Sequence, residues 1–575
     1  MHWVVNHYIK SLYIFRIVDK KKIKYQPIQF SDFTKGLRDF KDILNIEWVK
    51  TPTNLEDEQN IHHYYRDLAY SLNKLKLNKS KIFENLWDRD ESDLEVKNNY
   101  QRFHLFAEIG KTIGINASAI FSLISNWIIF FRPRKNIAWN SFNCSVRLIN
   151  WMKMFSLIAD DFQVDSDEWR KIQKSVFKQT YFISKSIEKH IPGNHVLIQY
   201  YSLWLISILF PEWEKSLILL RKIDKLFEGE LNREFLNEGF HFEQSYHYHL
   251  QSLLFGLHWL KFNHFHSSFV SDETKLKLYK AFLCAKEMIV AGNYMPMRGD
   301  NCFNFINISL REDYNDIEKL GDDIFQDIDK NFGSVIKRID NLFIKANYKK
   351  SEILFYIGNV GLKNNPGHGH SDLLSFIYVH DNHPVFIDPG TKRYSNNKND
   401  LLLKTASSHN TISINNESQA KLWGFFRWAF LPNKINSSID NANRKITLQG
   451  EYVGFKSLGY CKHKRNLILD DNDLIIEDFV ECENPANIAL NFILHPSIKI
   501  FTEKNEIYLL TDKFRLVFDI DANSDYRLDI LPFKIYPSYD VGIPSNKILV
   551  KFEKVFSHLF VRFSIRKSLN FKYEK

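Results

Sequence analysis

The stretch from Asn364 to Trp428 decides how this chain is read. It runs NNPGHGHSDLLSFIYVHDNHPVFIDPGTKRY over 364–394 and, after a short polar break, KTASSHNTISINNESQAKLWGFFRW over 404–428. The apolar runs Leu374–Val379, Val385–Ile387 and Thr411–Ile414 alternate in the manner of short strands bounded by turn residues. Three features between them are chemical. His368 and His370 form an H-G-H triplet followed by Ser371 and Asp372, Asp388 opens a D-P-G-T turn, and His409 sits in S-S-H-N-T. Imidazole nitrogen and carboxylate oxygen are common zinc ligands, so two His and one Asp at separate strand ends can converge on a metal. On a strand, side chains two apart face the same way, so one imidazole of the triplet can bind metal while the other reaches a cleft. Residue types alone equally admit loop histidines and a turn aspartate.

Working outward, the strand pattern continues to the C-terminus. Glu352–Ile357, Lys445–Leu448, Leu467–Leu469, Leu474–Phe479, Ile488–Leu494, Ile507–Leu510, Arg515–Ile520 and Leu559–Ile565 are short and rich in β-branched and aromatic residues. Some eleven strands with no intervening helix predict an antiparallel β-sandwich. Upstream, from about Ile61 to Val290, the period is helical. Tyr64–Leu77, Arg102–Ile113, Ala117–Phe131, Ser145–Asp160, Asp165–Lys189, His195–Phe210, Glu212–Phe227, Ser245–Phe262 and Asp272–Ala291 carry apolar residues three to four apart, with Pro and Gly at the joints. Nine helices with short turns fit a bundle or an α/α toroid. The expected organisation is a lead-in segment (1–60), a helical domain (61–345) and a strand domain (346–575).

A chain of 575 residues exceeds a single core, and 44% hydrophobic with 15% aromatic content excludes disorder. Its 77 Lys and Arg against 68 Asp and Glu leave +9, a mild excess that suits a polyanionic partner. Nucleic acid is disfavoured, because the basic residues are scattered and no DNA- or RNA-binding pattern is present. Five cysteines without C-x-x-C spacing indicate neither a disulfide framework nor a cysteine zinc site. The N-terminus does not read as a signal peptide. The longest apolar segment, Ala117–Phe131, is too short and too interrupted to span a bilayer.

The motifs N-P-G-H-G-H-S-D-x-L-S-F, F-I-D-P-G-T-x-x-Y, S-H-N-T and W-G-x-F-R-W, in this order, resemble the C-terminal domain of the heparinase II/III-like polysaccharide lyases. The resemblance implies an incomplete α/α toroid followed by an antiparallel β-sandwich. It makes His368 a catalytic residue, and makes His370, Asp388 and His409 the ligands of one structural divalent metal, zinc or a similar ion. Two places in the helical half are also similar. Asn194-His195, after Pro192-Gly193, matches an N-H-L helix start that faces the substrate carboxylate, although capping alone would explain Asn194. Phe242–His249 resembles F-E-x-S-P-x-Y-H, which gives Tyr248 the catalytic tyrosine's place. Tyr246 stands where Pro is usual, and Lys404 where Arg is common. Ser145–Trp151 and Arg298-Gly299-Asp300 are weaker matches. Members of the family commonly work in the bacterial cell envelope.

The chemistry implied is β-elimination on a uronic-acid-containing anionic polysaccharide. The C5 proton is feebly acidic, so the adjacent carboxylate must be neutralised as charge spreads into it, a task for preorganised donors such as Asn194, His195 and His368. A base takes the proton and an acid protonates the departing O4. Tyr248 and His368 are the candidates, since phenols as a class ionise near pH 10 and imidazoles near neutrality. A uronate C5-epimerase is the nearest rival. A glycan-binding or assembly protein of a surface-polysaccharide pathway is the second, and a metal-dependent hydrolase the third.

Overall fold

A computed structural model describes residues 27–44, 87, 94–104, 106, 116–131, 138–159 and 166–568, less 192, 216, 292–293, 303, 306–307, 327–334, 363, 433–434, 472, 504–505 and 553. The chain divides into two compact units. The first holds the described residues up to Glu234, with those of Gln251–Leu278 and Ile306–Ile324. The second holds those of Phe235–Leu250, Tyr279–Phe305 and Phe325–Lys575.

The first unit is helical, with helices at Phe30–Leu44, Leu94–Arg102, Ala117–Phe130, Ser141–Ser156, Ser166–Lys185, His195–Leu209 and Ile223–Glu234. Asn116 and Asn140 start two of them by accepting the amides of Ala119 and Asn143, satisfying N–H groups that a helix end leaves free. His195–Leu209 is apolar nearly all round and almost entirely buried, as a central helix must be. The expected lead-in contains a helix: Phe33, Leu37, Phe40 and Leu44 recur three to four apart and are all buried. The expected helix Tyr64–Leu77 lies outside the described residues. Most of that at Arg102–Ile113 also lies outside the described residues; the helix Leu94–Arg102 ends where it was expected to begin, and Phe103 adopts φ 61°. Glu212–Phe227 is not one helix. It forms two 3-10 turns, Pro211–Lys215 and Ile218–Lys222, before Ile223–Glu234. Leu217 leaves helical backbone, and Trp213 stacks on Phe210 with ring centres 4.1 Å apart.

In the second unit, strands dominate. One antiparallel sheet has eight strands among the described residues, in the spatial order Asn436–Ala442, Lys445–Gly454, Cys461–Asp470, Asp473–Ala486, Phe556–Lys567, Arg515–Ala522, Glu506–Leu510 and Lys499–Glu503. Tyr526–Ser538, Val541–Phe552, Ile488–Ile493 and Ile412–Ile414 pair antiparallel in another. Ile336–Ile339, Phe343–Tyr348, Ser351–Tyr356, Phe376–His380 and His383–Phe386 form a five-stranded meander. Alternation is plainest in Lys445–Gly454, where every second residue is buried. Inward side chains such as Phe355, Leu374, Leu448, Leu467, Ile476, Phe492 and Phe563 build one core, each full burial contributing about 1.5–3 kcal/mol. A short helix, Lys398–Leu402, interrupts the expected all-strand run.

Contrary to the cysteine count, Cys461 and Cys482 are joined by a disulfide. They are directly opposed in antiparallel register with Cα atoms 4.2 Å apart. Sequence spacing carries no such signal, because the pairing exists only once the register is set.

Candidate active site and metal centre

Buried polar side chains hold the loops of the second unit that carry the motifs. Arg465, fully buried, pairs with Asp478 and donates to the carbonyls of Leu374 (2.8 Å) and Asn410 (2.5 Å). Asn410 donates to the carbonyls of Phe376 (2.8 Å) and Ile387 (3.0 Å) and accepts from the Ile493 amide (2.6 Å). One amide side chain thus ties the strand end before Asp388 to the loop bearing His409, which explains Asn in S-H-N-T. Thr411 donates to the Leu373 carbonyl at 2.7 Å, and Asp372 takes a two-point ion pair from Arg298 at 2.7 and 3.0 Å. Such fork-to-fork pairs fix geometry as well as charge.

The H-G-H triplet is not on a strand. His368 ends a 3-10 turn, Pro366–His368, and Gly369 follows in extended backbone. A Cβ on Gly369 would lie 1.2 Å from the Val360 carbonyl oxygen, so only glycine fits between the histidines. Both imidazoles meet one carboxylate. His368 Nδ1 is 3.0 Å from Asp300 Oδ2, and His370 Nε2 is 3.0 Å from Asp300 Oδ1. A carboxylate only accepts, so both nitrogens carry the proton. His368 is left with its lone pair on Nε2 and His370 with its lone pair on Nδ1. Lys404 completes the cluster, its Nζ 3.0 and 3.2 Å from the Asp300 oxygens and 2.8 Å from the Gly367 carbonyl. Burial alone would raise the Asp300 carboxyl. Lys404, then the hydrogen bonds from His368 and His370, outweigh it and hold the group well below the usual carboxylate range.

Tyr248 comes to this cluster from the start of helix Tyr246–Phe265. Its ring centre is 4.6 Å from that of His368, and its hydroxyl is 3.1 Å from the Tyr394 hydroxyl. Tyr246, where Pro is usual, is the first residue of the helix, a position where Pro is tolerated because its missing N–H is not needed. Its hydroxyl instead donates to the Ala285 carbonyl at 2.7 Å. Phe426 closes another side of His368, with ring centres 5.7 Å apart. Glu243 Oε1 lies 3.9 Å from His368 Nε2.

His370, Asp388 and His409 are all buried, and their candidate ligand atoms lie within 4.8 Å of one another. The donor set fits a divalent metal on two further observations. His370 Nδ1 is buried with no hydrogen-bond partner, and burial lowers that imidazole to about 4, which keeps it neutral. His409 Nε2 lies 3.0 Å from the Leu403 carbonyl and therefore bears the proton there, while His409 Nδ1 faces Asp388 Oδ2 at 2.9 Å. A lone pair facing a carboxylate needs a cation between them, a proton or a metal ion.

The expected pair Tyr248 and His368 is brought together, and so is the trio His370, Asp388 and His409. Asn194 and His195 belong to the helical unit. Asn194 occupies the cap position of His195–Leu209 but makes no capping hydrogen bond; its Nδ2 donates to Gln251 Oε1 at 3.3 Å. His195 Nδ1 is 2.8 Å from buried Glu188, and its ring stacks on Phe142 at 4.1 Å. Asp300, Tyr394 and Lys404 were not among the expected catalytic or ligand residues. The Arg298-Gly299-Asp300 turn was their faint signal: Gly299 adopts φ +70°, and the Asp300 amide donates to the His368 carbonyl at 2.9 Å.

Fold and site together define a helical domain followed by antiparallel sheets carrying a Tyr–His pair beside a buried His-Asp-His cluster. Residues 27–304 match the heparinase II/III N-terminus and residues 340–555 the heparinase II/III-like C-terminal domain. The chain belongs to the heparinase II/III-like family. The crystal structure of heparinase III is similar at 16% identity and a TM-score of 0.71, over 84% of this chain and 79% of that one. A heparinase III gene product is similar at 16% identity and 0.64, over 95% and 94%. The heparan sulfate lyase HepC from Pedobacter heparinus is similar at 15% identity and 0.56, over 85% and 79%. No curated protein matches the chain in sequence.

Proposed function

We propose that this protein is a polysaccharide lyase that cleaves a uronic-acid-containing anionic polysaccharide by β-elimination. The observation that carries the reading is the Tyr248–His368 pair, ring centres 4.6 Å apart, with His368 Nε2 left as the basic nitrogen by the Asp300 hydrogen bond. In this reading a base removes the C5 proton, the C4–O4 bond breaks as a C4–C5 double bond forms, and an acid returns a proton to O4. No water is consumed. His368 Nε2 and the Tyr248 hydroxyl divide these two proton transfers, and Tyr394, hydrogen-bonded to Tyr248, orients the phenol and passes its proton on. Asn194 and His195 are proposed as donors to the uronate carboxylate. Two local features support this: the Asn194 amide is not spent on capping, and Glu188 orients the His195 ring.

His370, Asp388 and His409 would hold the structural metal, whose charge would fix the loops that carry the catalytic residues. The three side chains lie on different loops, so one ion would brace all three.

Incubation with a panel of polyuronates (alginate, heparosan-type, chondroitin-type) tests the reading. The expected result is a new ultraviolet band from an unsaturated uronate in the parent and its loss in Tyr248→Phe and His368→Ala. Depolymerisation without that band would refute it. Solvent-deuterium incorporation at C5 without chain cleavage would point to the epimerase.

A further inference from the structure

The β-hairpin Lys421–Gly424/Arg427–Phe430 is a two-stranded sheet of its own. Its inner side is anchored beside the catalytic pair. Trp428 Nε1 donates to the Pro366 carbonyl at 3.0 Å, the Phe425 amide to Asn396 Oδ1 at 2.8 Å, and Phe426 lies against His368 and Tyr394. Its outer side is left bare. Trp423 is 73% exposed, Arg427 sits with its guanidinium carbon 5.6 Å from the centre of the Trp423 ring, and Lys421 is exposed on the same strand, two residues from Trp423. Side chains two apart on a strand share a face, so the indole is flanked by two cations.

An indole this exposed contributes little to a core, whereas a flat apolar ring suits the C–H face of a pyranose. Arg427 offers a planar fork that matches a carboxylate or a sulfate ester in two hydrogen bonds. Two residues separate Trp423 from Phe426, which packs against His368, so one short hairpin carries both the outer indole and a contact to the site.

We propose that Trp423 and Arg427 form a binding subsite for a sugar flanking the one held at Tyr248 and His368, with the indole stacking on the ring and the guanidinium taking its anionic group. This rests on the lyase reading for the identity of the chain as an anionic polysaccharide. The platform takes no part in proton transfer, so its effect is expected in KM and to depend on chain length.

The test uses size-defined uronate oligosaccharides with the parent, Trp423→Ala, Trp423→Phe, Arg427→Ala and Arg427→Lys. Trp423→Ala is expected to raise KM about tenfold on long chains, the ratio that about 1.4 kcal/mol of lost binding produces. The increase should shrink as the chain is shortened toward the disaccharide. Trp423→Phe should restore most of the affinity, and Arg427→Lys less than a full share, because ammonium lacks the fork. Melting temperatures should match the parent, because Trp423 is on the surface.

Direct binding is measured in a Tyr248→Phe background. If the parent turns over and Trp423→Ala has the same KM at every length, the subsite is refuted and the lyase reading survives. If no uronate polymer is cleaved, yet oligosaccharide binding is lost with Trp423→Ala, the lyase reading fails and the subsite stands. Equal loss of affinity at all lengths would also overturn the proposal.

Discussion

Asp300→Asn should separate the electrostatics of the site from its shape. The carboxylate is buried and holds four partners: His368 Nδ1 and His370 Nε2 at 3.0 Å each, Lys404 Nζ at 3.0 and 3.2 Å, and Thr391 Oγ1 at 3.3 Å. An amide keeps the volume but removes the charge and turns one oxygen into a donor. It can then accept from only one of the two imidazoles, and the Lys404 ammonium, itself buried, loses its anion. Removing one member of a buried ion pair costs about 3–5 kcal/mol, mostly because the other charge is left unpaired. The variant should therefore lose about that much unfolding free energy in a denaturant titration, and kcat should fall at least about a hundredfold as His368 loses its fixed tautomer. Asp300→Asn/Lys404→Met removes both charges and should recover about half or more of the stability with no recovery of kcat, because the pair is coupled and the tautomer is not restored. An unchanged unfolding midpoint together with kcat within about twofold of the parent would refute the reasoning.

Three further outcomes follow from the same geometry. Tyr394→Phe should lower kcat about tenfold with little change in KM, the effect expected from loss of one hydrogen bond to a proton-transferring phenol; a change confined to KM would assign Tyr394 to binding. The purified protein should carry one equivalent of divalent metal by elemental analysis. A strong chelator should lower its melting temperature, and His370→Ala should abolish the chelator effect; identical melting with and without chelator would refute a structural ion. Finally, burial lowers His249 to about 3, its Nε2 donating to the Ala281 carbonyl at 3.1 Å and its ring stacked on Phe240. A histidine held neutral in the fold but ordinary when unfolded supports stability above pH 6.5 and withdraws it as pH falls toward 3. At about 1.4 kcal/mol per pH unit the loss is about 2 kcal/mol by pH 5. A shallower acid slope in His249→Gln, read by denaturant midpoints between pH 7 and 5, is the expected result.

What could be read from the sequence follows the range of the physics involved. Period 3.6 before residue 290 and period 2 after 350 reflect which faces are buried, and both are local patterns. Helix Phe30–Leu44 was legible for the same reason, in Phe33, Leu37, Phe40 and Leu44, although its surroundings obscured it. The 3-10 turns at Pro211–Lys222 were not, because apolar spacing there fits either geometry and Trp213 packing on Phe210 selects the turns.

At the site, H-G-H, D-P-G and S-H-N-T announced themselves because glycine, turn and candidate ligand residues occur at short spacings set by backbone sterics. Gly369 has no room for a Cβ, and Asn410 must bridge two strand ends. Asp300 lies 68 residues before His368 and looks like any turn aspartate until folding places it between two imidazoles and a lysine. The Cys461–Cys482 bond depends on strand register, and the neighbouring hydroxyls of Tyr248 and Tyr394 depend on residues 235–250 packing into the strand-bearing unit. The sequence by itself determined the order of helical and strand regions and the set of candidate imidazole and carboxylate groups, through local periodicity and sterics. Only the tertiary structure decided which carboxylate they share, because burial and pairing of charge are properties of groups that meet in space.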